Sequence, residues 1–186
     1  MNCIFRLLLT FNATSLLIII FLVKQGYTLG YFFTKCPHLP YRPELSDLPN
    51  YFSYVLYLLI PAILTRISIS LSELLGKSSF SAGEVVSLEH ANNSFLPSYL
   101  GYFFVALSIG NWETLWFVYG VLFVFTFLSQ ALYFNPLFLI FGFDFYNVTT
   151  KNGAVFFLIS RNGYKTPENV IIHQVRSINN FTYIER

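Results

Sequence analysis

A run of about 20 mainly apolar residues leaves a chain few options. As a helix rising about 1.5 Å per residue, it matches the roughly 30 Å hydrocarbon core of a bilayer. The stretch 7–23, LLLTFNATSLLIIIFLV, is such a run. Arg6 and Lys24 bracket it, and their long side chains can reach the headgroups while their stems stay in apolar surroundings. The segment that follows, KQGYTLGYFF, has no small-x-small cleavage pattern leading into a soluble domain, so the run reads as a membrane anchor.

Three more stretches follow the same logic. A second span is expected over about 51–69, opening on the tyrosine-rich YFSYVLYLLI, with Pro61 inside as a kink and Arg66 near its far end. Beyond Arg66, the residues Ile67, Leu71, Leu74 and Leu75 keep helical spacing, which predicts a further amphipathic turn or two capped by Gly76. Between His90 and Phe143 the only charged residue is Glu113, beside Gly110, Asn111 and Trp112. That marks a tight turn between a short third span, about 95–109, and a fourth over about 114–134. Asn135-Pro136 then offers a break in the apolar run and leaves LFLIFGF to lie in the interface or to kink back. An ionisable residue inside a membrane helix can line a pathway, but the place of Arg66 near a helix end favours snorkelling. Arg6, Lys24, Arg66 and Trp112 are the expected membrane-interface anchors.

Composition agrees with this reading, since 55% of residues are hydrophobic and 11% charged, against about 25% charged in a soluble domain. A net charge of +2 is too small to suggest nucleic-acid binding by the whole chain, so charge matters through its position. With four spans and the N-terminus inside, eight basic residues (Arg6, Arg66, Lys77, Lys151, Arg161, Lys165, Arg176, Arg186) face the cytoplasm. Three (Lys24, Lys35, Arg42) face outward, which predicts that both termini are cytoplasmic. Cys3 and Cys36 fall on opposite sides in that topology and are not expected to pair. Cys36 and His38 form a lone Cys-x-His without the further ligands of a zinc site, so no metal or cofactor is expected. Glycosylation acceptor patterns beginning at Asn12, Asn92, Asn147 and Asn180 do not decide the compartment.

From Asp144 the pattern changes. FYNVTT, Lys151-Asn152-Gly153, AVFFLIS and Arg161-Asn162-Gly163 alternate strand-forming runs with Asn-Gly steps, each step a strong hairpin signal. NVIIHQVRSI and FTYIER can supply further strand. The expected fold is therefore an α-helical integral membrane protein, with a four-helix transmembrane domain over 1–143 and a small C-terminal β-rich cytoplasmic module over 144–186. So small a module holds little core of its own and must lean on the helices or on another protein.

The module carries Lys151, Arg161, Lys165, Arg176 and Arg186 against Asp144, Glu168 and Glu185. Attraction to anionic membrane lipid would account for a basic tail. Lipid needs no hairpins, whereas fixed turns around AVFFLIS create an edge and an apolar face suited to a protein partner. Arg161, Lys165 and Arg176 are the expected orienting charges, with Phe156 and Phe157 holding either the module's core or the contact. His173 has no Ser, Cys or paired carboxylates at a recognisable spacing, and no glycine loop would cradle a phosphate, so an enzyme is not expected.

The layout, four spans followed by GFDFYNVTTKNGAVFFLISR and the short end VRSINNFTYIER, resembles KwaA, the membrane subunit of the bacterial Kiwa anti-phage defence system. The resemblance implies a homo-oligomeric inner-membrane protein that senses phage attack and works with KwaB, a cytosolic DNA-binding effector. Direct nucleic-acid binding by this chain is not expected. The expected function is thus a membrane-embedded sensor and scaffold that recruits a cytosolic effector. A small channel or holin-like pore is the alternative, supported by Pro61 and Arg66 in one span and opposed by the lack of a sustained polar face. A membrane enzyme or its accessory subunit is a third class, disfavoured by the missing acid-base pairs. Gly101, Ala106, Ser108 and Gly110 in the third span would allow close approach between subunits.

Overall fold

The computed structural model describes residues 2–35, 49–80, 85–93, 96–129, 135–166 and 172–185. Cys36, His38 and Arg42 of the expected outer loop, with Phe95 and 130–134 of the expected third and fourth spans, Glu168 and Arg186, lie outside them. The helices are α1 (Asn2–Lys24), α2 (Leu29–Lys35), α3 (Asn50–Leu71), α4 (Leu96–Ser108), α5 (Trp112–Ser129) and the short α6 (Leu137–Ile140). Three stretches, Cys3–Lys24, Asn50–Leu74 and Trp112–Ser129, are long and apolar enough to cross a membrane. The expected third span differs. Helix α4 has 13 residues, about 20 Å of rise, well short of a straight crossing of about 30 Å. Among the described residues, three helices and not four reach that length.

Helix α1 is the hub, packed against α3, α4 and α5. Its polar residues Thr10, Asn12, Thr14 and Ser15 are all buried. The hydroxyls satisfy themselves on their own helix, Thr10 donating to the Arg6 carbonyl (2.9 Å), Thr14 to that of Thr10 (2.9 Å) and Ser15 to that of Asn12 (2.7 Å). Toward the C-terminal end of α1, Leu17 and Phe21 pack with Ala106 and Ile109 at the end of α4 and with Leu115 of α5. Ala106 is fully buried there, so this small residue serves packing within the chain.

The remaining chain forms a six-stranded mixed sheet in the order β1-β5-β6-β4-β3-β2. The strands are β1 (Gly76–Phe80), β2 (Val85–His90), β3 (Asp144–Thr150), β4 (Val155–Ser160), β5 (Ile172–Ser177) and β6 (Thr182–Glu185). The tail thus supplies four strands, and β1 and β2 come from the segment after α3. The expected continuation beyond Arg66 forms as the last turn of α3 and a 3-10 turn, but Gly76 does not cap it. Helix α3 tightens into a single 3-10 turn, Ser72–Leu74, Leu75 turns to an extended conformation, and Gly76 opens β1.

Asn152-Gly153 makes the expected hairpin between β3 and β4. Gly153 takes φ +76°, which a side chain would resist, and Gly153 N–H donates to Thr150 O (2.9 Å) while Thr150 N–H donates to Ala154 O (2.9 Å). Asn162-Gly163 does not make a second one, because β4 takes the parallel strand β6 as its neighbour. Parallel neighbours need a long crossover. Residues 161–166 begin it, with Asn162 N–H turned back onto Ser160 Oγ (2.9 Å).

Register divides the sheet into two faces. Lys77, Arg176, Ile184, Ile159 and Phe145 stand in one row across β1, β5, β6, β4 and β3. Ile184, Ile159 and Phe145 of that row share a core with Phe5 and Leu9 of α1, Ile69 of α3 and Phe138 of α6, so the row faces the helices. The opposite face gathers Tyr146, Val148, Phe156, Leu158 and Val175. Strand β4 is therefore buried on both faces from Phe156 to Ser160, which explains its unbroken apolar run. Entry into the sheet is set by a Schellman motif at the end of α6. Phe143 N–H donates to Phe138 O (3.1 Å) and Gly142 N–H to Leu139 O (3.0 Å), with Gly142 at φ +74°.

Candidate functional site

The feature with most chemical content is the junction between helices and sheet. Pro61 and Thr65 lie one turn apart on the buried face of α3 at mid-helix. Asn12 of α1 meets them there. With the Asn12 amide assigned the orientation that satisfies both its ends, Nδ2 donates to the Pro61 carbonyl (3.1 Å), while Oδ1 accepts from Thr65 Oγ1 (2.7 Å) and Asn135 Nδ2 (3.2 Å). Asn135 Nδ2 also lies 3.0 Å from Thr65 Oγ1, and Asn135 Oδ1 accepts from Leu137 N–H (3.0 Å). Asn12 and Thr65 are fully buried and Asn135 nearly so. One polar knot thus ties α1 and the middle of α3 to the residues leading into the sheet. A side-chain hydrogen bond between apolar helices contributes about 0.6 kcal/mol on average, and an unpaired buried amide would cost more.

Three of the four expected interface anchors, Arg6, Lys24 and Trp112, make contacts within the chain. Arg6 donates to Phe127 O (3.1 Å) and lies over the Phe127 ring (4.9 Å), and Lys24 donates to Ile109 O (2.8 Å). These carbonyls lie in the last turn of α5 and just past α4, where helical partners run out and the helix dipole favours a cation. Trp112 stacks on Tyr27 (5.2 Å) and meets the Phe21 ring edge-on (5.2 Å). Arg66 is exposed on α3.

On the sheet face away from the helices, the Glu185 carboxylate is buried. It accepts from Ser160 Oγ (2.5 Å) and from Tyr164 OH (2.7 and 2.8 Å to its two oxygens). Tyr146 OH donates to Asn162 O (3.2 Å) and accepts from Tyr164 N–H (3.3 Å), so the start of the crossover is pinned to β3, β4 and β6. Burial first, and then the hydrogen bond to the Glu185 carboxylate, push the Tyr164 phenol up to about 12. A raised value favours the neutral phenol. The contribution of Tyr164 to stability is thus complete below its ordinary value near 10 and lost as pH rises toward 12. A difference ultraviolet titration of the unaltered protein against Tyr164→Phe is expected to show one phenol ionising near pH 12.

The residues expected to orient a partner separate in space. Phe156 and Phe157 are both core residues on opposite faces, Phe157 stacked on Phe145 (5.6 Å) and Phe156 edge-on to Tyr183 (5.3 Å). Arg161 and Lys165 are exposed on the segment 161–166, with the Arg161 guanidinium 4.5 Å from the Phe143 ring. Arg176 stands apart, on the helix-facing row, donating to Leu75 O (3.1 Å). Sequence reasoning passed over Asn12, Thr65, Asn135, Lys77, Tyr164 and Glu185 as site residues. A polar side chain inside an apolar run was a usable signal for Asn12 and Asn135.

No curated protein and no solved structure matches the chain. A family model described as anti-phage protein KwaA matches residues 5–184, which takes in the three long apolar helices, the junction and the sheet down to the penultimate described residue. With nearly its whole length matched, the chain belongs to the KwaA family of anti-phage proteins.

Proposed function

We infer that the chain is a non-catalytic sensor and scaffold of anti-phage defence, embedded in the bacterial inner membrane with both termini in the cytoplasm, whose sheet recruits a cytosolic effector protein. The observation that carries this reading is the shared core. Phe5, Leu9 and Ile69 of the helices and Phe145, Ile159 and Ile184 of the sheet form one buried cluster. A shift of α1 against α3, of the kind an injured envelope would impose, then forces the sheet to repack, because packed cores yield in discrete steps. The distribution of basic residues supports the orientation, and so does the sheet, whose strands from before α4 and after α5 lie together, so that the short α4 and the long α5 return the chain as a pair to the side it left. Against a small channel stand the polar residues of α1, which are buried in side-chain and backbone bonds. Self-association in the membrane belongs to the same reading, with α5 as the available surface, since 6% of its apolar stretch is buried.

The docking surface in this reading is the exposed segment 161–166, which presents Arg161 and Lys165 together. Charge reversal at both, Arg161→Glu with Lys165→Glu, is expected to cut co-purification of the effector from membranes at least tenfold. Lys151→Glu, in the turn at the other end of the β3–β4 hairpin, is expected to leave it unchanged. Equal loss with both variants would point to non-specific charge attraction, and undiminished capture by the double variant would remove this segment as the docking site.

A further inference from the structure

The helix-facing row of the sheet is apolar at Phe145, Ile159 and Ile184 and turns cationic at the β1 edge, where half-buried Arg176 is followed by exposed Lys77. The two basic residues are direct cross-strand neighbours and so project from the same face. The Arg176 guanidinium donates to the carbonyl of Leu75, and that bond uses one of its five N–H donors. Leu75 is at once the residue beyond the apolar stretch Asn50–Leu74 and one wall of a groove of about 140 Å³ between α1 and the end of α3. The other walls are Ile4, Phe5, Leu8, Leu71 and Leu74. Ile4 is 75% exposed and Leu74 59%, so the chain itself leaves this apolar surface uncovered. Glu73 is the one acidic residue between Arg66 and Phe80.

The groove is thus apolar along its length and opens, at the level where a spanning helix would end, beside two adjacent cations. That order of polarity is the order of a phospholipid. We propose that Lys77 and Arg176 hold the headgroup phosphate of an anionic membrane lipid, with an acyl chain of that lipid lying in the groove. A basic pair next to a groove between membrane helices is suited to such a headgroup. Occupancy would bridge α1, α3 and the β1 edge, so the lipid becomes part of the junction. The inference rests on the membrane placement proposed above and is independent of effector docking.

The test uses the full-length protein extracted in mild detergent, with bound lipid counted by native mass spectrometry during titration with phosphatidylglycerol or phosphatidylcholine. The unaltered protein is expected to retain one phosphatidylglycerol about tenfold better than phosphatidylcholine. Lys77→Gln should lower that preference about fivefold, and Lys77→Gln with Arg176→Gln should abolish it. Leu74→Trp, which fills the groove, should weaken both lipids together. Because Lys77 is exposed, its single variant keeps the test decisive if loss of Arg176 unsettles the sheet. Equal retention of the two lipids, an unchanged preference in the double variant, or displacement by glycerol 3-phosphate at matched concentration would overturn the proposal. So would a dimer that holds no lipid and is indifferent to Leu74→Trp. Failure of the membrane placement itself is read separately, as protein that stays soluble when detergent is removed.

Discussion

Phe145→Ala is expected to lower the stability of the sheet by about 3–5 kcal/mol, the range for removing a fully buried aromatic ring from a core that cannot collapse around the loss. The ring is wholly buried, stacked on Phe157 at 5.6 Å and set against Phe138 at 6.2 Å, and it lies where α1, α3, α6 and the sheet meet. Deletion would forfeit the transfer free energy and two aromatic contacts, each worth about 0.5–1.5 kcal/mol beyond area. A domain holds about 5–15 kcal/mol in total, so a large part of its margin would go. Hydrogen exchange of the full-length protein in nanodiscs measures it, with protection of the β3 and β4 amides expected to fall by about two to three and a half orders of magnitude. The α1 amides should keep theirs, because their bonds lie within the helix. If the strand amides exchange as slowly as before, the helices and the sheet are not held together by this core.

Glu185→Ala carries the second largest expected effect, about 2–4 kcal/mol. The carboxylate is 5% exposed and accepts from two hydroxyls on two different segments. Bonds to a charged acceptor contribute about 1.5–3 kcal/mol, and their loss leaves the hydroxyls of Ser160 and Tyr164 to find other partners. Glu185→Gln keeps the shape and one acceptor oxygen, so it should fall between the unaltered protein and the alanine variant in thermal unfolding followed in detergent. The order is the diagnostic. If alanine and glutamine cost the same, packing and not hydrogen bonding holds β6 in place.

How much of this was legible beforehand depends on distance along the chain. The long apolar runs announced α1, α3 and α5, because a helix bonds within itself and needs no remote partner. The β3–β4 hairpin was legible from Asn152-Gly153 for the same reason. Strands β1 and β2 were not, since GKSSF and VVSLEH are short, mostly polar and exposed, and their partners lie far along the chain: Gly76 pairs with Ser177 and His90 with Tyr146. Local pattern also misled at Asn162-Gly163, where a parallel neighbour supplied from a later strand overrode the turn signal. For the site, charge was readable and direction was not. Arg161 and Arg176 look alike in the sequence, and only the register puts Arg176 on the row with Ile184, facing the helices. The knot of Asn12, Thr65 and Asn135 spans separations of 53 and 70 residues, beyond the reach of any window.

The strand order carries a consequence for the timing of assembly. Strands β1 and β2 are made before α4 and α5, yet they end on opposite edges of the sheet, each paired to a strand that lies beyond residue 143. A ribosome releases the segment 76–90 long before its partners exist, and the two early strands do not pair with each other even at the end. For that interval both are open edges, the kind that recruits stray strands. The sheet therefore closes last, after the intervening helices have found their places, and a chain halted between β4 and β5 would have claimed β2 through β3 but would still hold β1 without its partner. Completion of synthesis becomes a precondition for a closed sheet.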